Sequence, residues 1–320
     1  MKLSFIIPCY GSEHTIESVV REIQETVATR ADFDYEIVLV SDASPDGVFS
    51  VIKKLAAADS HICGAELSKN FGQHAALMAG FRLASGETIV CLDDDGQTPA
   101  SECFSLIDKL QEGYDVVFAS YPKKKHTLFR NIGSKANSLM AQKLIGKPKD
   151  IEIMSYFCCR RFIADEILRY ENAYPYMAGL LLRATNRIAN VEVCHRERLE
   201  GSSGYSLKKL IALWMNGFTA FSIKPLRIST LTGSIFALIG FIYGIITIVN
   251  KLFFHPEAPM GYSSLMAVHV FLGGVILLML GLIGEYIGRA YISLNKSPQY
   301  VIRETVNVNG DKDEKADEGK

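Results

Sequence analysis

Two long stretches without a charged residue constrain the fold of this chain most strongly. Residues 228–250 are 23 residues without Asp, Glu, Lys or Arg, and residues 261–284 repeat this pattern. At about 1.5 Å of rise per residue, a helix over either stretch is about 30 Å long or longer, which is enough to cross a membrane. Core helices of soluble proteins rarely contain so long an uncharged run. We therefore predict two transmembrane helices with a short extracytoplasmic loop within residues 228–290.

Basic residues flank the two predicted spans on their outer sides. Lys224 and Arg227 precede the first span, Arg289 and Lys296 follow the second, and Lys251 is the one basic residue of the loop between them. Positive charge next to a span is typical of the cytoplasmic side. We therefore expect a multi-pass protein of the cell membrane with both termini in the cytoplasm.

The regions beside the spans have their own patterns. Apolar residues recur at helical spacing within residues 206–227, which predicts an amphipathic helix in the headgroup layer or, alternatively, one packed on the globular domain. Residues 291–320 are expected to be a cytoplasmic tail whose charged end, residues 310–320, is disordered. Gly284 and Gly288 have the spacing of closely paired helices, so we expect helix pairing within or between chains and a homo-oligomer.

The overall composition excludes several classes of protein. The 34 Lys and Arg residues against 35 Asp and Glu residues give a formal net charge of -1, so no global charge favours binding to nucleic acid. The seven cysteines have neither zinc-ligand spacing nor the arrangement of a disulfide framework, which predicts reduced and mostly buried thiols. No G-x-G-x-x-G or P-loop signature follows a predicted strand, which excludes those two phosphate sites.

Residues 1–205 alternate strand-like and helical patterns. Such alternation predicts an α/β domain with a mostly parallel sheet and helices on both faces. Helical periodicity fills the intervals between the apolar runs that predict strands, which are Leu3–Pro8, Glu36–Ser41, Ile62–Leu67, Thr88–Leu92 and Val116–Ala119. Polar clusters follow the first four of these runs, so we expect one ligand-binding rim at the carboxyl ends of the strands.

The cluster after the fourth strand has the composition of a metal site. Asp93, Asp94 and Asp95 are consecutive carboxylates that repel one another, and a divalent cation would remove this conflict. Asp93 and Asp95 point to one side of an extended segment, and Gln97 continues the alternation. Such oxygen ligands suit Mg²⁺ or Mn²⁺, although an acidic surface turn is the alternative.

The order of the polar motifs resembles that of family 2 glycosyltransferases, and especially of the polyisoprenyl-phosphate glycosyltransferases related to dolichol-phosphate mannose synthase and the bactoprenol glucosyltransferases. The motifs, which extend the resemblance from residue 3 to about 305, are Pro8–Tyr10, Val40–Gly47, Ser68–Gly72, Asp93–Gln97 and Arg198–Tyr205. The resemblance implies a Rossmann-like GT-A catalytic domain. It also implies inverting transfer of a hexose or N-acetylhexosamine from a nucleotide sugar, UDP-linked, to a polyisoprenyl phosphate such as undecaprenyl phosphate, for modification of cell-envelope polysaccharide.

The resemblance further implies roles for single residues. Asp93, Asp95 and Gln97 hold the metal, and Asp95 and Arg198 take part in catalysis. The residues implied to bind the nucleotide sugar are Pro8, Tyr10, Glu13, Val40, Asp42, Lys69 and Asp94. The residues expected to bind the acceptor phosphate are Lys123, Lys124, Lys125, Arg130, Arg196, Ser203 and Tyr205. The alternatives are a turn residue for Asp42 and solvated loops for Lys69 and the lysine run.

The sequence departs from the family pattern where the sugar and the acceptor phosphate should lie. Gly11 and Ser12 replace Asn and Glu, Tyr121 replaces Arg, Gly204 replaces Lys, and Ile153–Tyr156 replaces a Gly-Asp-Phe-Arg segment. These differences leave the sugar open and keep one alternative, a membrane-tethered sugar-nucleotide binding or scaffold subunit with a degenerate site. A processive polysaccharide synthase is disfavoured, because the chain lacks a Gln-x-x-Arg-Trp motif and has too few predicted spans for a polymer channel.

Overall fold

The chain divides into two compact units. The α/β unit consists of Met1–Ile211 and Lys296–Lys320, and the helical unit of Ala212–Asn295. The computed structural model describes residues 1–30, 32–121, 142, 147–194, 196, 262–295 and 297–308, and single helical positions between 231 and 253. The catalytic domain predicted for residues 1–205 lies within the α/β unit, to which the chain also returns after the helical unit.

Strands and helices alternate in the α/β unit, as the sequence predicts. The described strands are β1 (Lys2–Cys9), β2 (Asp34–Ser41), β3 (Ile62–Leu67), β4 (Thr88–Cys91), β5 (Val116–Ser120), β6 (Phe157–Arg160), β7 (Ile188–Glu192) and β8 (Ile302–Val306). The described helices are α1 (Ile16–Ala28), α2 (Val48–Ala58), α3 (Gln73–Leu83), α4 (Cys103–Gln111), α5 (Arg161–Leu168), α6 (Met177–Ala184) and, in the helical unit, α7 (Tyr262–Leu294). A short 3-10 helix, Ala100–Glu102, precedes α4.

The strands form one mixed sheet in the order β7-β5-β6-β4-β1-β2-β3-β8. β1 pairs in parallel with β2 and β4, β2 with β3, and β5 with β7. β6 is antiparallel to β4 and β5, and β8 is antiparallel to β3. The predicted α/β class is confirmed, but the sheet is mixed, because two strands that the sequence did not reveal run against the others. The carboxyl ends of β1 to β4 nevertheless share one edge.

Helices cover both faces of the sheet. Side chains alternate between the two faces along a strand, and Phe5 and Ile7 of β1 belong to a buried cluster with apolar residues of α1, α2 and α4. Ile6 points the other way and meets α3, where a Cβ on Gly80 would lie 2.3 Å from the Ile6 Cγ2 atom. Glycine at position 80 is therefore what allows α3 to lie this close to β1.

The C-terminal segment differs most from its prediction. Part of the expected tail, Ile302–Val306, is the edge strand β8, which runs along β3 from the Gly64–Val306 pair to the Leu67–Ile302 pair. The Asn307 side-chain amide then donates to the backbone oxygen of Ile62, 3.1 Å away. The predicted disorder of residues 310–320 falls outside the described part of the chain.

The helical unit contains one helix, among the described residues, that is long and apolar enough to cross a membrane. It is Phe271–Gly288 within α7, with a mean hydropathy of 1.9 and no buried residues. Most of the first predicted span and all of the predicted amphipathic helix at 206–227 lie outside the described residues. The described positions between 231 and 253 are helical, and a Cβ on Gly233 would lie 3.3 Å from the Met279 Cε atom of α7.

Glu36 of β2 holds the amino-terminal edge of the sheet together. Its carboxylate accepts hydrogen bonds from Lys2 Nζ and Ser4 Oγ of β1, each 2.7 Å long, and from the Ser85 side chain before β4 at 2.7 Å. Burial alone would raise the pKa of Glu36, but these donors outweigh it and lower the pKa from 4.5 to about 2.

We expect Glu36→Gln to lower the free energy of unfolding at pH 7 by roughly 1–3 kcal/mol. A lowered pKa in the folded state stabilises above pH 4.5, and this stabilisation is lost as the pH falls through about 2. Thermal unfolding of the purified full-length protein should show a difference in Tm between variant and wild type that narrows below pH 4.5. Glu17→Gln, at an exposed pair with Arg21, is the control, and a gap independent of pH would contradict this account.

Candidate active site

The loops after β1, β2 and β4 are hydrogen-bonded to one another at the carboxyl edge of the sheet. The Tyr10 backbone N–H donates to Asp94 Oδ2 at 2.9 Å, and the Thr15 hydroxyl donates to the Asp94 backbone oxygen at 2.7 Å. The Gly11 N–H donates to the Ser44 hydroxyl at 2.8 Å. These contacts bring the predicted polar clusters to one rim.

The loop after β3, Ser68–Gly72, is joined to this rim by Asp42. We call this segment the β3 loop. One Asp42 carboxylate oxygen accepts the Phe71 N–H at 2.7 Å and the other accepts the Gly72 N–H at 2.8 Å. The side chain is buried, and burial raises its pKa although these two hydrogen bonds act to lower it. Asp42 therefore fixes the end of the β3 loop directly before α3, whether or not it also contacts a nucleotide base.

The acidic turn, Asp93–Gln97, follows β4. Both oxygens of Asp93 are held: Gln73 Nε2 donates to Oδ1 at 3.0 Å, and the Ser155 hydroxyl donates to Oδ2. Asp95 Oδ1 accepts the Gln97 N–H at 3.0 Å. Gly96 between them has a φ of +72°, a left-handed conformation that glycine adopts without the steric penalty of a side chain.

Negative charge accumulates at the acidic turn. Burial, with repulsion from Asp95 and Asp94, raises the pKa of Asp93 to about 6 although the Ser155 hydrogen bond acts to lower it. Burial also raises the pKa of Asp94. Tyr121, which replaces the family arginine, has its pKa raised to about 12 by burial and by the charges of Asp93 and Asp95. The turn is therefore a place where a bound cation would be favourable.

The acidic turn suits a metal that takes only part of its coordination from protein. Among the described residues, no three His, Cys, Asp or Glu side chains form a metal-binding group, and the Asp94 carboxylate is turned toward Tyr10. Asp93 and Asp95 offer hard oxygen ligands and leave positions for phosphate oxygens. The buried hydroxyls of Ser41 and Thr98 have no hydrogen-bond partner among the described residues, as expected where a ligand or water completes a polar site.

Several residues predicted to bind the nucleotide sugar instead contact the protein itself. Glu13 accepts the Gly47 N–H through Oε2 at 2.9 Å, and its own N–H donates to Asp46 at 2.9 Å. Pro8 and Val40 are buried and pair in register across β1 and β2. These three predicted roles are untested, and the contacts present are structural.

Tyr10 and Lys69 lie where a ligand can reach them. Tyr10 is 54% exposed at the rim. Lys69 is exposed on the β3 loop, with Nζ 5.0 Å from the centre of the Phe71 ring. Both remain candidates for contacts with the nucleotide sugar.

The residues predicted to bind the acceptor phosphate are mostly not described. Arg196 is an exception: its backbone N–H donates to the Gln97 backbone oxygen at 3.2 Å, but its guanidinium pairs with Glu22 of α1 at 2.8 Å. The positions outside the described residues are Lys123, Lys124, Lys125, Arg130, Arg198, Ser203 and Tyr205.

The structure adds Gln73 and Ser155 to the site and removes Tyr156 from it. Tyr156 is fully buried, and its hydroxyl donates to the Pro99 backbone oxygen at 3.1 Å. The neighbouring Ser155 reaches Asp93 instead. Both additions have only weak signals in the sequence: Gln73 directly follows a polar motif, and Ser155 lies in a segment that departs from the family pattern.

Comparison with known proteins decides the family. The model of the family described as glycosyl transferase family 2 matches residues 4–170, just over half of the chain. The chain belongs to glycosyl transferase family 2. A second family model, described as the GtrB C-terminal hairpin, matches residues 224–290 of this family 2 glycosyltransferase.

Relatives match this glycosyltransferase along nearly its whole length. The undecaprenyl-phosphate 4-deoxy-4-formamido-L-arabinose transferase of Klebsiella pneumoniae (strain 342) is 34% identical over 307 residues, 95% of this chain and 94% of that protein. The uncharacterized glycosyltransferase YkcC of Bacillus subtilis (strain 168) is 32% identical over 313 residues, 96% and 95% of the two chains. A solved glucosyl-3-phosphoglycerate synthase from Mycobacterium tuberculosis, in complex with Mn²⁺ and UDP-glucose, aligns at a TM-score of 0.49 with 18% identity, over 68% of this chain and 77% of that chain.

We expect Asp42→Asn to loosen the β3 loop of this glycosyltransferase. Asparagine keeps one acceptor oxygen but presents an amide group to the second backbone N–H, which leaves a donor unpaired at a cost of roughly 1–3 kcal/mol. Hydrogen–deuterium exchange at Phe71 and Gly72 should therefore become about tenfold faster or more. Asp34→Asn, at the exposed opposite end of β2, is the control. Unchanged exchange at both amides would show that Asp42 does not hold the loop.

Proposed function

We propose that this family 2 glycosyltransferase transfers a sugar from a nucleotide sugar to a polyisoprenyl phosphate. The proposal rests on the acidic turn at the rim where the four loops meet. It is supported by the similarity of the chain to an undecaprenyl-phosphate sugar transferase, which extends over 94% of the length of that protein. The proposed donor is a UDP-linked hexose or N-acetylhexosamine, and the proposed acceptor is undecaprenyl phosphate. The product would serve modification of cell-envelope polysaccharide.

The acceptor is already a nucleophile at neutral pH. A phosphate monoester has a second pKa near ~6 and is largely ionised, so the reaction needs no strong general base. The enzyme must instead bring an anionic acceptor beside an anionic donor. Arg198 and the run Lys123–Lys125 are proposed to supply the positive charge for the acceptor, and Arg196 would do so only by leaving Glu22.

Asp93, Asp95 and Gln97 are proposed to hold Mg²⁺ or Mn²⁺. A divalent cation bound there would stabilise the charge that develops on the departing nucleotide diphosphate. Gln73 and Ser155 hold the Asp93 carboxylate in one orientation before any ligand binds, so little reorganisation is needed on binding. The exposed Tyr10 ring is proposed to stack on the nucleotide base.

The position of β8 supports two membrane crossings. Because β8 pairs with β3, residues 302–306 and β1 to β5 lie on the same side of any membrane. If α7 crosses the membrane, the chain between residues 196 and 262 crosses it once more, and the uncharged residues 228–250 are the proposed segment. The basic flanks and the cytosolic supply of nucleotide sugars support a cytoplasmic α/β unit.

An active enzyme is better supported than a scaffold subunit with a degenerate site. Of the two tyrosines that replace family arginines, Tyr156 is a core residue and takes no part in the rim. Tyr121 lies within the electrostatic influence of Asp93 and Asp95, and all three aspartates of the acidic turn are present beside it. A homo-oligomer, through the small residues of α7, is part of the proposal.

The direct test is a transfer assay with a panel of donors. Membranes containing the protein are incubated with undecaprenyl phosphate, Mg²⁺ or Mn²⁺, and one radiolabelled nucleotide sugar at a time, and are then extracted with organic solvent. Label in the organic phase is expected with one donor and identifies donor and acceptor together. Absence of labelled lipid with every donor would refute the proposed transfer.

In the same assay, we expect Asp95→Asn to reduce transfer at least about 100-fold, because it removes a charged metal ligand. EDTA should abolish the wild-type activity, and added Mg²⁺ or Mn²⁺ should restore it. Asp108→Asn, which breaks only an exposed pair between α4 and Arg30, is the matched control. Full wild-type activity in EDTA would contradict the metal proposal.

We also expect topology reporters to place the loop between the two predicted spans and the C-terminal segment on opposite sides of the membrane. A reporter active only outside the cytoplasm should be active when inserted within residues 256–260, and a cytoplasmic reporter should be active after Lys320. The second fusion is placed after the chain end because Arg303 lies inside β8. The reverse pattern would overturn the orientation predicted from the basic flanks.

A further inference from the structure

The residues that follow α7 return to the α/β unit, pass beside the β3 loop and then run along β3. We call residues 297–307 the return segment. The Val301 backbone oxygen accepts the Ser68 N–H at 2.8 Å, directly before β8 begins to pair with β3. The first residue of the β3 loop is thus hydrogen-bonded to the C-terminal part of the chain.

The return segment is anchored on both sides of this contact. On the near side, the Gln299 amide donates to the backbone oxygens of Tyr170 and Asn172, the latter at 3.0 Å. Tyr300 lies beside Arg82 near the end of α3. On the far side, Asn307 donates to the Ile62 backbone oxygen at 3.1 Å. Val301 therefore sits in a stretch of backbone with little freedom to move.

The β3 loop connects this anchored stretch to the acidic turn. Its last two residues donate their N–H groups to Asp42. The next residue, Gln73, is the first of α3 and donates to Asp93 at 3.0 Å. A continuous series of hydrogen bonds and short chain segments thus runs from the return segment through Ser68 to the carboxylate that the proposed metal uses.

We infer that the return segment positions the β3 loop for the nucleotide sugar, with Gln299 and Asn307 as positioning residues. The inference rests on the proposed function, which gives the β3 loop its ligand. A loop that is ordered before binding does not lose that conformational freedom on binding. Loosening the return segment should therefore weaken binding of the nucleotide sugar and leave the rate of sugar transfer from the bound donor largely unchanged.

The test uses the full-length protein in detergent, with Gln299→Ala, Asn307→Ala and the double variant. Hydrogen–deuterium exchange over residues 68–72 should become roughly three- to tenfold faster in at least the double variant. In the transfer assay, the KM for the nucleotide sugar should rise by a similar factor, about three- to tenfold, while kcat stays within about twofold. The KM for the lipid acceptor should not change.

Glu304→Ala is the matched control inside the return segment. Glu304 pairs with Lys53 at 2.6 Å across an exposed surface, where both side chains are more than 40% accessible, and such pairs contribute little. Faster exchange in residues 297–307 with unchanged exchange in residues 68–72 would overturn the inference. A fall in kcat at constant donor KM would overturn it too. The exchange result does not depend on activity, so it separates failure of this inference from failure of the proposed function.

Discussion

Three consecutive carboxylates at the end of a buried strand need hydrogen-bond donors, and the rest of the rim supplies them. Partly buried charges need hydrogen-bond donors or counter-charges, and each aspartate obtains its donors from a different part of the chain. Asp94 takes the Tyr10 N–H, Asp93 takes Gln73 and Ser155, and Asp95 takes the N–H of Gln97. The same carboxylates whose mutual repulsion would favour a bound cation therefore also hold the loops together through these hydrogen bonds.

The motif residues around these aspartates mainly hold one another. Asp42 binds the β3 loop, and Glu13 bridges to Asp46 and Gly47. Ala43 lies between these contacts with a φ of 48°, a left-handed conformation that costs a residue with a side chain about 1–2 kcal/mol and persists where the surroundings fix it. A substitution in these motifs would therefore change ligand binding through loop geometry as well as through lost contacts.

Local patterns predicted most of the α/β unit, and contacts between distant residues account for what they missed. The apolar runs ending near Ser41 and Leu67 are visible in the sequence because buried strands need uninterrupted apolar residues. β8 is short, exposed and polar, and its partner β3 is far away in the chain. The hydrogen bond from Ser155 to Asp93 could not be predicted either, because these two residues are also far apart in the chain. Glu13 and Arg196 were predicted to bind ligands because no local sequence pattern identifies their partners, Gly47 and Glu22.

The return of the chain after the helical unit completes the sheet. Without β8, β3 would be an edge strand with unpaired backbone groups beside the β3 loop, and exposed edges of this kind invite pairing with other chains. β8 covers that edge, and its Arg303 and Glu304 side chains keep the new edge charged and exposed. Because β8 follows the helical unit in the chain, the sheet is complete only after the helical unit has been synthesised. If the helical unit crosses a membrane as proposed above, its insertion and the completion of the sheet are therefore linked by chain order.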